Sequence, residues 1–311
     1  MPEPQVEGTL WAEVRGHTGW IVIDHPAKKN AMTAGMWRGL PGLLDVLAAD
    51  ATVHSVVLTG RGETFCAGAD ISQLTSMRAG AAGPAGVGVA GGAGGSSAGS
   101  GTGVGGGAGT DAGAGAGETL AGDESGEDVV GRAEAALLRF GKPTIAVVDG
   151  FCIGGGCQLA VACDLRLATE RARFAITPAK LGIVYPASSL RRLTALIGPA
   201  SAKLLLFTAD LVDAAHALRI GLVDEVHPAA ELPARVQQLT STLATRSRLT
   251  LQAAKEVIDL AAAGQPLAER ERCWERAARD SGETAEGIAA FLERRPPAFP
   301  WTPAAPGPGR S

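Results

Sequence analysis

A nearly unbroken apolar stretch runs from residue 145 to residue 163, and three successive glycines interrupt it at residues 154–156. β-Branched residues precede the glycines and compact apolar residues follow them, which predicts a buried strand, a turn and a buried helix. A membrane span is a poor interpretation, because the glycine break would leave backbone polar groups unpaired in lipid. The chain must therefore build a core around a strand–turn–helix unit.

Strands and helices alternate along the first two thirds of the chain, and helices dominate the rest. Short β-branched runs between turn signals predict a hairpin within 9–24 and strands at 53–58, 144–148, 165–168 and 174–176. Apolar residues spaced by three and four predict a helix capped by Thr33 and helices at 129–140, 157–163, 188–197, 200–208, 213–220, 231–246, 248–262, 266–280 and 283–293. Pro41 should bend the first helix or delay its regular start. This order predicts an α/β core with a helical C-terminal part.

Residues 79–122 differ in composition from both of their flanks. Of these 44 residues 19 are glycine, most others are alanine, serine or threonine, and Asp111 and Glu118 are the charged ones. Such a stretch cannot bury enough surface to offset the entropy lost on ordering. We therefore predict a flexible Gly/Ala-rich insert within one core, with a functional lid as the alternative.

Charge and cysteine usage exclude several function classes. The 28 lysines and arginines nearly balance the 32 aspartates and glutamates, giving a net charge of −4. Without a basic excess or stripe, no nucleic-acid partner is expected. The N-terminus has no basic start and no apolar run, so we predict no signal peptide and a cytoplasmic location without a membrane partner. The five cysteines have no zinc-finger spacing, and we expect core thiols and no metal site; they are Cys66, Cys152, Cys157, Cys163 and Cys273.

Two glycine-rich turns follow predicted strands, at residues 65–71 and 150–158. Both place free backbone N–H groups at a strand end, and the second leads into a helix N-terminus, which favours negative charge. Two converging N–H groups would form an oxyanion hole. The alternative is that the glycines only permit tight turns and close packing. Residues 150–156 lack the dinucleotide-binding glycine spacing, and the P-loop Gly-Lys-Ser/Thr sequence is absent from the chain.

Several segments, in order and spacing, resemble the enoyl-CoA hydratase/isomerase superfamily, which has the crotonase fold. They are residues 24–32 (DHPAKKNAM), 57–60 (VLTG), 65–71 (FCAGADI), 142–150 (KPTIAVVDG), 154–159 (GGGCQL), 163–164 (CD), 174–178 (FAITP), 208, 214–222 and 286–296 (EGIAAFLERRP). The resemblance covers nearly the whole chain except the insert and the last dozen residues.

The resemblance implies an α/β crotonase fold of stacked ββα turns with a C-terminal helical trimerisation part. Residues 1–78 and 123–205 would form the core, 206–295 the trimerisation region and 296–311 a tail. It also implies an acyl-CoA thioester as the substrate, with no further cofactor, and a homotrimer or hexamer as the assembly.

Within the two turns, the resemblance implies that the backbone N–H groups of Ala69 and Gly155 bind the thioester carbonyl oxygen and stabilise an enolate. Further positions match those near the CoA moiety: Lys28, Lys29, Ala67, Asp70 and Ile71. For the two lysines, exposed charges on a loop are the alternative.

Two positions depart from the pattern of the family's hydratases. These enzymes use two glutamates to hold and activate a water. Two are needed because the water must lose a proton while the α-carbon of the substrate gains one. The first glutamate position is Gln158 here, and the second is Pro178. A glutamine can orient a water but cannot accept its proton near neutral pH, and a proline can do neither. Ordinary hydration by the family mechanism is therefore not expected.

The segment 174–186 is similar to the methylmalonyl-CoA decarboxylase branch, whose tyrosine matches Tyr185. Loss of carbon dioxide from a malonyl-type thioester needs no general base, because the electrons flow into the thioester and an oxyanion hole stabilises the enolate. One departure counts against this branch, since it places a histidine where this chain has Ala69. A half-buried packing role for Tyr185 is the alternative.

Three functions remain open from the sequence. The first is an acyl-CoA lyase or isomerase working through an enolate, with decarboxylation as the leading version. The second is a hydratase or isomerase with an unusual acid or base, such as Asp70 or a residue of the insert. The third is a non-catalytic acyl-CoA binder, which needs both turns but no proton donor.

Overall fold

The computed structural model describes residues 8–73 and 129–302. The insert predicted at residues 79–122 lies outside the described residues, as does the end of the predicted tail. In chain order the strands are β1 (Thr9–Arg15), β2 (Thr18–Asp24), β3 (Ser55–Gly60), β4 (Thr144–Val148), β5 (Phe151–Ile153), β6 (Leu165–Thr169), β7 (Arg173–Ala175), β8 (Val212–Asp213) and β9 (Glu225–His227).

The helices extend the same alternating order. They are α1 (Ala34–Ala49), α2 (Val129–Arg139), α3 (Gly155–Ala162), α4 (Pro178–Leu181), α5 (Ala187–Thr208), α6 (Ala214–Arg219), α7 (Leu232–Ala244), α8 (Arg248–Ala262), α9 (Ala268–Ser281) and α10 (Glu283–Glu293). Among the described residues, no helix combines the length and the apolar character that a bilayer crossing requires.

A six-stranded sheet in the order β1-β2-β3-β4-β6-β9 forms the centre of the core. β1 and β2 are antiparallel, and the remaining neighbours are parallel. A smaller sheet has the order β5-β7-β8. Because β3 and β4 are parallel neighbours, the segments that follow them leave the sheet at the same edge. That edge is where both glycine-rich turns lie.

Apolar side chains cover both faces of the large sheet, as expected for parallel strands. On one face the main core packs the fully buried Trp37, Leu40 and Leu137 against the strands. On the other face Val57 and Leu232 belong to a smaller cluster beneath α7. The predicted α/β core with a helical C-terminal part is confirmed.

Helix α1 begins where its sequence predicts. Thr33 caps it, and Thr33 Oγ1 accepts a hydrogen bond from the Met36 amide at 3.3 Å. The helix continues through Pro41 to Ala49. The predicted division of the next long helical segment also appears, since α5 breaks at Gly198, whose φ is 75°.

The structure corrects the prediction at several points. The glycine-rich turn predicted at 150–158 contains β5, because residues 151–153 pair with β7. The helix predicted to begin at Cys157 begins at Gly155. The strands β8 and β9 and the helix α4 were not predicted, because two to four residues are too few to show a period. Four cysteines are buried as expected, but Cys273 is exposed, and its interpretation as a core thiol is wrong.

Candidate active site

The two glycine-rich turns are joined by backbone hydrogen bonds. The Phe65 amide donates to the Asp149 carbonyl at 2.7 Å, and the Cys66 amide donates to the Phe151 carbonyl at 2.9 Å. The Ile153 amide returns a bond to the Cys66 carbonyl at 2.9 Å. Residues that are more than eighty positions apart in the chain are therefore held in one fixed arrangement.

The amides of Ala69 and Gly155 lie side by side at this junction. The amide of Met32 donates to the Gly68 carbonyl, and the Asp70 amide donates to the Met32 carbonyl. Met32 therefore bonds to both neighbours of Ala69 and leaves the Ala69 amide unused. Among the described residues, no acceptor takes the N–H group of Ala69 or of Gly155. A methyl group placed on Gly155 would lie 3.5 Å from the Ala69 nitrogen. Two unused donors thus converge on one small volume.

Two of the glycines are required for this geometry. Gly154 has a φ of 54°, which L side chains rarely adopt. A methyl group on Gly156 would lie 2.5 Å from the Cys66 carbonyl oxygen, so only glycine lets α3 approach the other turn this closely. The N-terminus of α3 consequently points at the paired amides, and its dipole adds to their positive field.

A small, partly open cavity lies beside the turns. Its wall includes Gln158 and Tyr185 among apolar side chains such as Val161 and Ile176. A methyl group on Gly154 would lie 3.7 Å from the Tyr185 hydroxyl oxygen, which places the cavity next to the paired amides. The structure therefore brings Ala69, Gly155, Gln158 and Tyr185 together, as a shared site requires.

A polar network lines part of this cavity. Gln158 Nε2 donates to Ser189 Oγ at 3.3 Å, and Ser189 Oγ donates to Glu134 Oε2 at 2.7 Å. Arg192 Nη2 lies 3.3 Å from the same carboxylate oxygen, and burial lowers the pKa of Arg192. Glu134 is only 2% exposed. The cavity therefore contains a carboxylate in addition to the predicted residues.

Sequence reasoning missed Glu134, although its position carries a signal. Glu134 lies three residues before the fully buried Leu137 and next to the fully buried Ala133, on the face of α2 that packs into the core. An acidic residue on a buried helix face is rarely found without a partner. Here the partners come from α5, more than fifty residues further along the chain.

The residues that match CoA-contacting positions gather where the loop before α1 meets the turn at residues 65–71. Lys28 Nζ lies 2.7 Å from Asp70 Oδ2, and this bond is the main cause that lowers the pKa of Asp70. Lys29 Nζ lies 5.0 Å from the centre of the Phe151 ring, and the Lys29 carbonyl accepts from the Ala67 amide at 3.0 Å. The charge of Lys28 is thus already paired. The fifth position, Ile71, is exposed.

Pro178, which the resemblance matches to the second hydratase glutamate, lies at the start of a short helix beside the turns. Pro178 is buried and is the first residue of α4, where its missing N–H costs nothing. Its neighbour Thr177 is close to the turn, with Oγ1 3.1 Å from a methyl group placed on Gly154. This segment therefore packs beside the paired amides without presenting a carboxylate.

The buried thiols do not offer a nucleophile. Burial raises the pKa of Cys66 and of Cys163 to about 12, so both stay protonated at neutral pH. Cys157 Sγ donates to the Cys152 carbonyl at 2.8 Å. Within residues 8–73 and 129–302, no three histidine, cysteine, aspartate or glutamate side chains are grouped as metal ligands would be.

Comparison with known proteins gives consistent matches. Two models described as Enoyl-CoA hydratase/isomerase match residues 104–301 and 18–85. A putative enoyl-CoA hydratase of Thermus thermophilus is 31% identical over 92% of this chain and 98% of its own length. A short-chain-enoyl-CoA hydratase of Clostridium acetobutylicum is 30% identical over 79% of each chain. The crystal structure of an enoyl-CoA hydratase/isomerase family member superposes with a TM-score of 0.78 and 33% identity, covering 96% of this chain and 99% of the other.

Proposed function

We propose, because the chain belongs to the enoyl-CoA hydratase/isomerase family, that it binds an acyl-CoA thioester in the cavity beside the two turns. Its reaction would pass through an enolate. The thioester supplies the chemistry, so no further cofactor is required.

One observation carries the proposal: the unused amides of Ala69 and Gly155 converge at the N-terminus of α3. A thioester oxygen that accepts from both would gain negative charge as the enolate forms. Fixed donors stabilise such developing charge strongly, because they need no reorganisation during the reaction.

We favour decarboxylation of a malonyl-type thioester as the reaction. The bond between the α-carbon and the carboxylate breaks, carbon dioxide leaves, and the electron pair enters the thioester to form the enolate. The α-carbon then takes a proton, for which the Tyr185 hydroxyl beside Gly154 is the proposed donor. Gln158 and Pro178 stand where the hydratases of the family use glutamates, and this route needs neither carboxylate.

Hydration or isomerisation is the second candidate, and two observations favour it. The two relatives described above are named as a putative enoyl-CoA hydratase and a short-chain-enoyl-CoA hydratase. In addition, the wall of the cavity contains the carboxylate of Glu134. Asp70 is a weaker choice of acid or base, because its carboxylate is engaged by Lys28. A non-catalytic acyl-CoA binder is the remaining alternative.

Incubation of the purified protein with crotonyl-CoA and with methylmalonyl-CoA, followed by mass spectrometry, tests the proposal. Loss of carbon dioxide from methylmalonyl-CoA alone is the expected result. Gain of water by crotonyl-CoA would favour the second candidate. Binding of both thioesters without turnover would identify a binder, and failure to bind either one would contradict the proposal as a whole.

A further inference from the structure

Glu134 is a buried carboxylate that the proposed mechanism does not use. It lines the cavity, and it is connected to Gln158 through the hydroxyl of Ser189. Ser189 is itself buried, at 6% exposure. A buried charged group is normally stabilised by an ion pair or by hydrogen bonds.

The direction of each hydrogen bond in this network follows from Glu134. Glu134 Oε2 lies 3.3 Å from the guanidinium of Arg192, and a carboxylate oxygen beside a cationic donor acts as an acceptor. The single hydroxyl proton of Ser189 is therefore donated to Glu134 at 2.7 Å. Toward Gln158, the Ser189 oxygen can then only accept, which requires that Gln158 presents its Nε2 group.

This direction leaves the carboxamide oxygen of Gln158 as the group available to a ligand. Gln158 is partly exposed and lines the cavity. Among the described residues, Gln158 Oε1 accepts a hydrogen bond from no donor. Without the Glu134 carboxylate, the Gln158 carboxamide could rotate by half a turn and offer its NH₂ group to the cavity instead. The oxygen and nitrogen ends of a carboxamide are nearly equal in shape.

We propose that Glu134 is a positioning residue, which acts through Ser189 to hold Gln158 with its acceptor oxygen toward the cavity. The cavity then favours an acyl group, or a bound water, that offers a hydrogen-bond donor at this point. A hydroxyl on the acyl chain has this chemistry. A carboxylate has no donor, so a malonyl-type acyl group would turn its carboxylate away from Gln158.

This inference rests on the proposed binding of an acyl-CoA thioester in the cavity, but not on which reaction follows. It is tested by calorimetric titration with 3-hydroxybutyryl-CoA, as each of its two enantiomers, and with butyryl-CoA. The two ligands differ only in the hydroxyl. The ratio of their dissociation constants is measured within one variant, so a general loss of stability or of CoA affinity cancels.

The variants separate the network from packing. Glu134→Gln keeps the shape of the side chain but can donate as well as accept. The directions of the Ser189–Glu134 and Gln158–Ser189 hydrogen bonds are then no longer fixed. Ser189→Ala cuts the connection and provides a second variant if the first folds poorly. The matched control is Asp224→Asn. It removes a carboxylate whose Oδ2 atom lies 2.9 Å from Nη2 of the buried Arg166, and neither residue lines the cavity.

The parent protein and Asp224→Asn are expected to bind one 3-hydroxybutyryl enantiomer about 5-fold more tightly than butyryl-CoA, the contribution of one ordinary hydrogen bond. Glu134→Gln and Ser189→Ala should lose this preference. An equal affinity for both ligands in the parent, or a preference that survives in both network variants, would overturn the inference and leave the proposed function intact. If the parent binds none of the ligands, the proposed function itself is wrong.

Discussion

Gly155 is the residue on which the proposed enolate chemistry depends most directly, because its amide is one of the two unused donors. Gly155→Pro removes this N–H group and should lower kcat/KM on the identified substrate by about 10²–10³-fold. The measurement is steady-state turnover.

Gly155→Ala is the matched control for this experiment. It adds a Cβ atom but keeps the N–H group, and the new methyl would lie 3.0 Å from Trp37 Cζ2. Both variants therefore share a packing cost, and the difference between their rates reports the donor. Turnover of both variants at the parent rate would show that the thioester oxygen is not bound at this turn.

Tyr185 combines a packing role with a hydroxyl near the paired amides. Tyr185→Phe keeps the ring and removes the oxygen. If the hydroxyl delivers a proton, we expect turnover to fall by roughly 10²-fold, in the range of general acid catalysis, while KM stays unchanged. Turnover at the parent rate would assign Tyr185 to packing alone.

Gln158 is the position that the sequence resemblance matches to a glutamate of the family's hydratases. We expect Gln158→Glu alone to create no strong hydratase activity toward crotonyl-CoA. The second carboxylate is missing at Pro178, and the proton of Ser189 is already donated to Glu134, so the new carboxylate would face an acceptor. Hydration at a rate typical of enzymes by this single variant would refute the argument. The double variant Gln158→Glu with Glu134→Gln then shows what the carboxylate of Glu134 contributes.

At the scale of secondary-structure elements, Glu225 connects the edge strand β9 to α7. Arg235 donates to its two carboxylate oxygens at 2.8 and 2.7 Å, and His227 adds a contact at 2.7 Å. These bonds, with Arg235 as the larger cause, lower the pKa of Glu225 from 4.5 to about 2.

This shift predicts a pH dependence of stability. The folded pKa lies below the ordinary value, so the stabilisation is complete above pH 4.5 and declines as the pH falls from about 4.5 toward about 2. The difference in melting temperature between the parent and Glu225→Gln should shrink over the same interval. Glu170→Gln, at an exposed carboxylate, is the control, and a difference that stays constant with pH would contradict the assignment.

At the scale of the whole molecule, large apolar side chains are exposed in the C-terminal part. Phe291 is 82% exposed and Leu292 is 74% exposed on α10, and Phe207 is 74% exposed near the end of α5. Large exposed apolar patches usually mark an interface. An interface in this part fits the trimer or hexamer that the resemblance implies, and we predict that the chain assembles through it.

Light scattering at micromolar concentration measures the assembly. The parent protein should have the mass of a trimer or hexamer, and Phe291→Glu should shift it toward smaller species, because a buried charge at an interface is costly. The control is Val46→Glu on α1, another exposed apolar position outside the C-terminal part. A monomeric parent protein would contradict the prediction.

The sequence alone determined the elements whose pattern is local. Apolar spacing predicted α8 at residues 248–262 and α10 at residues 283–293 with the bounds that the structure shows, and β-branched residues did the same for β4. The two glycine-rich turns were visible for the same reason, since tight turns and helix starts depend on neighbouring residues. The roles predicted for Ala69, Gly155, Gln158 and Tyr185 remain predictions that the experiments above test.

Tertiary structure alone decided what depends on residues distant in the chain. β5 exists because Cys152 pairs with Phe174, and β8 exists because Val212 pairs with the same residue on its other side. The network around Glu134 joins α2 to α5 across more than fifty residues. No local period carries such pairings, because the partner that satisfies a buried strand edge or a buried carboxylate is chosen only when the chain has packed.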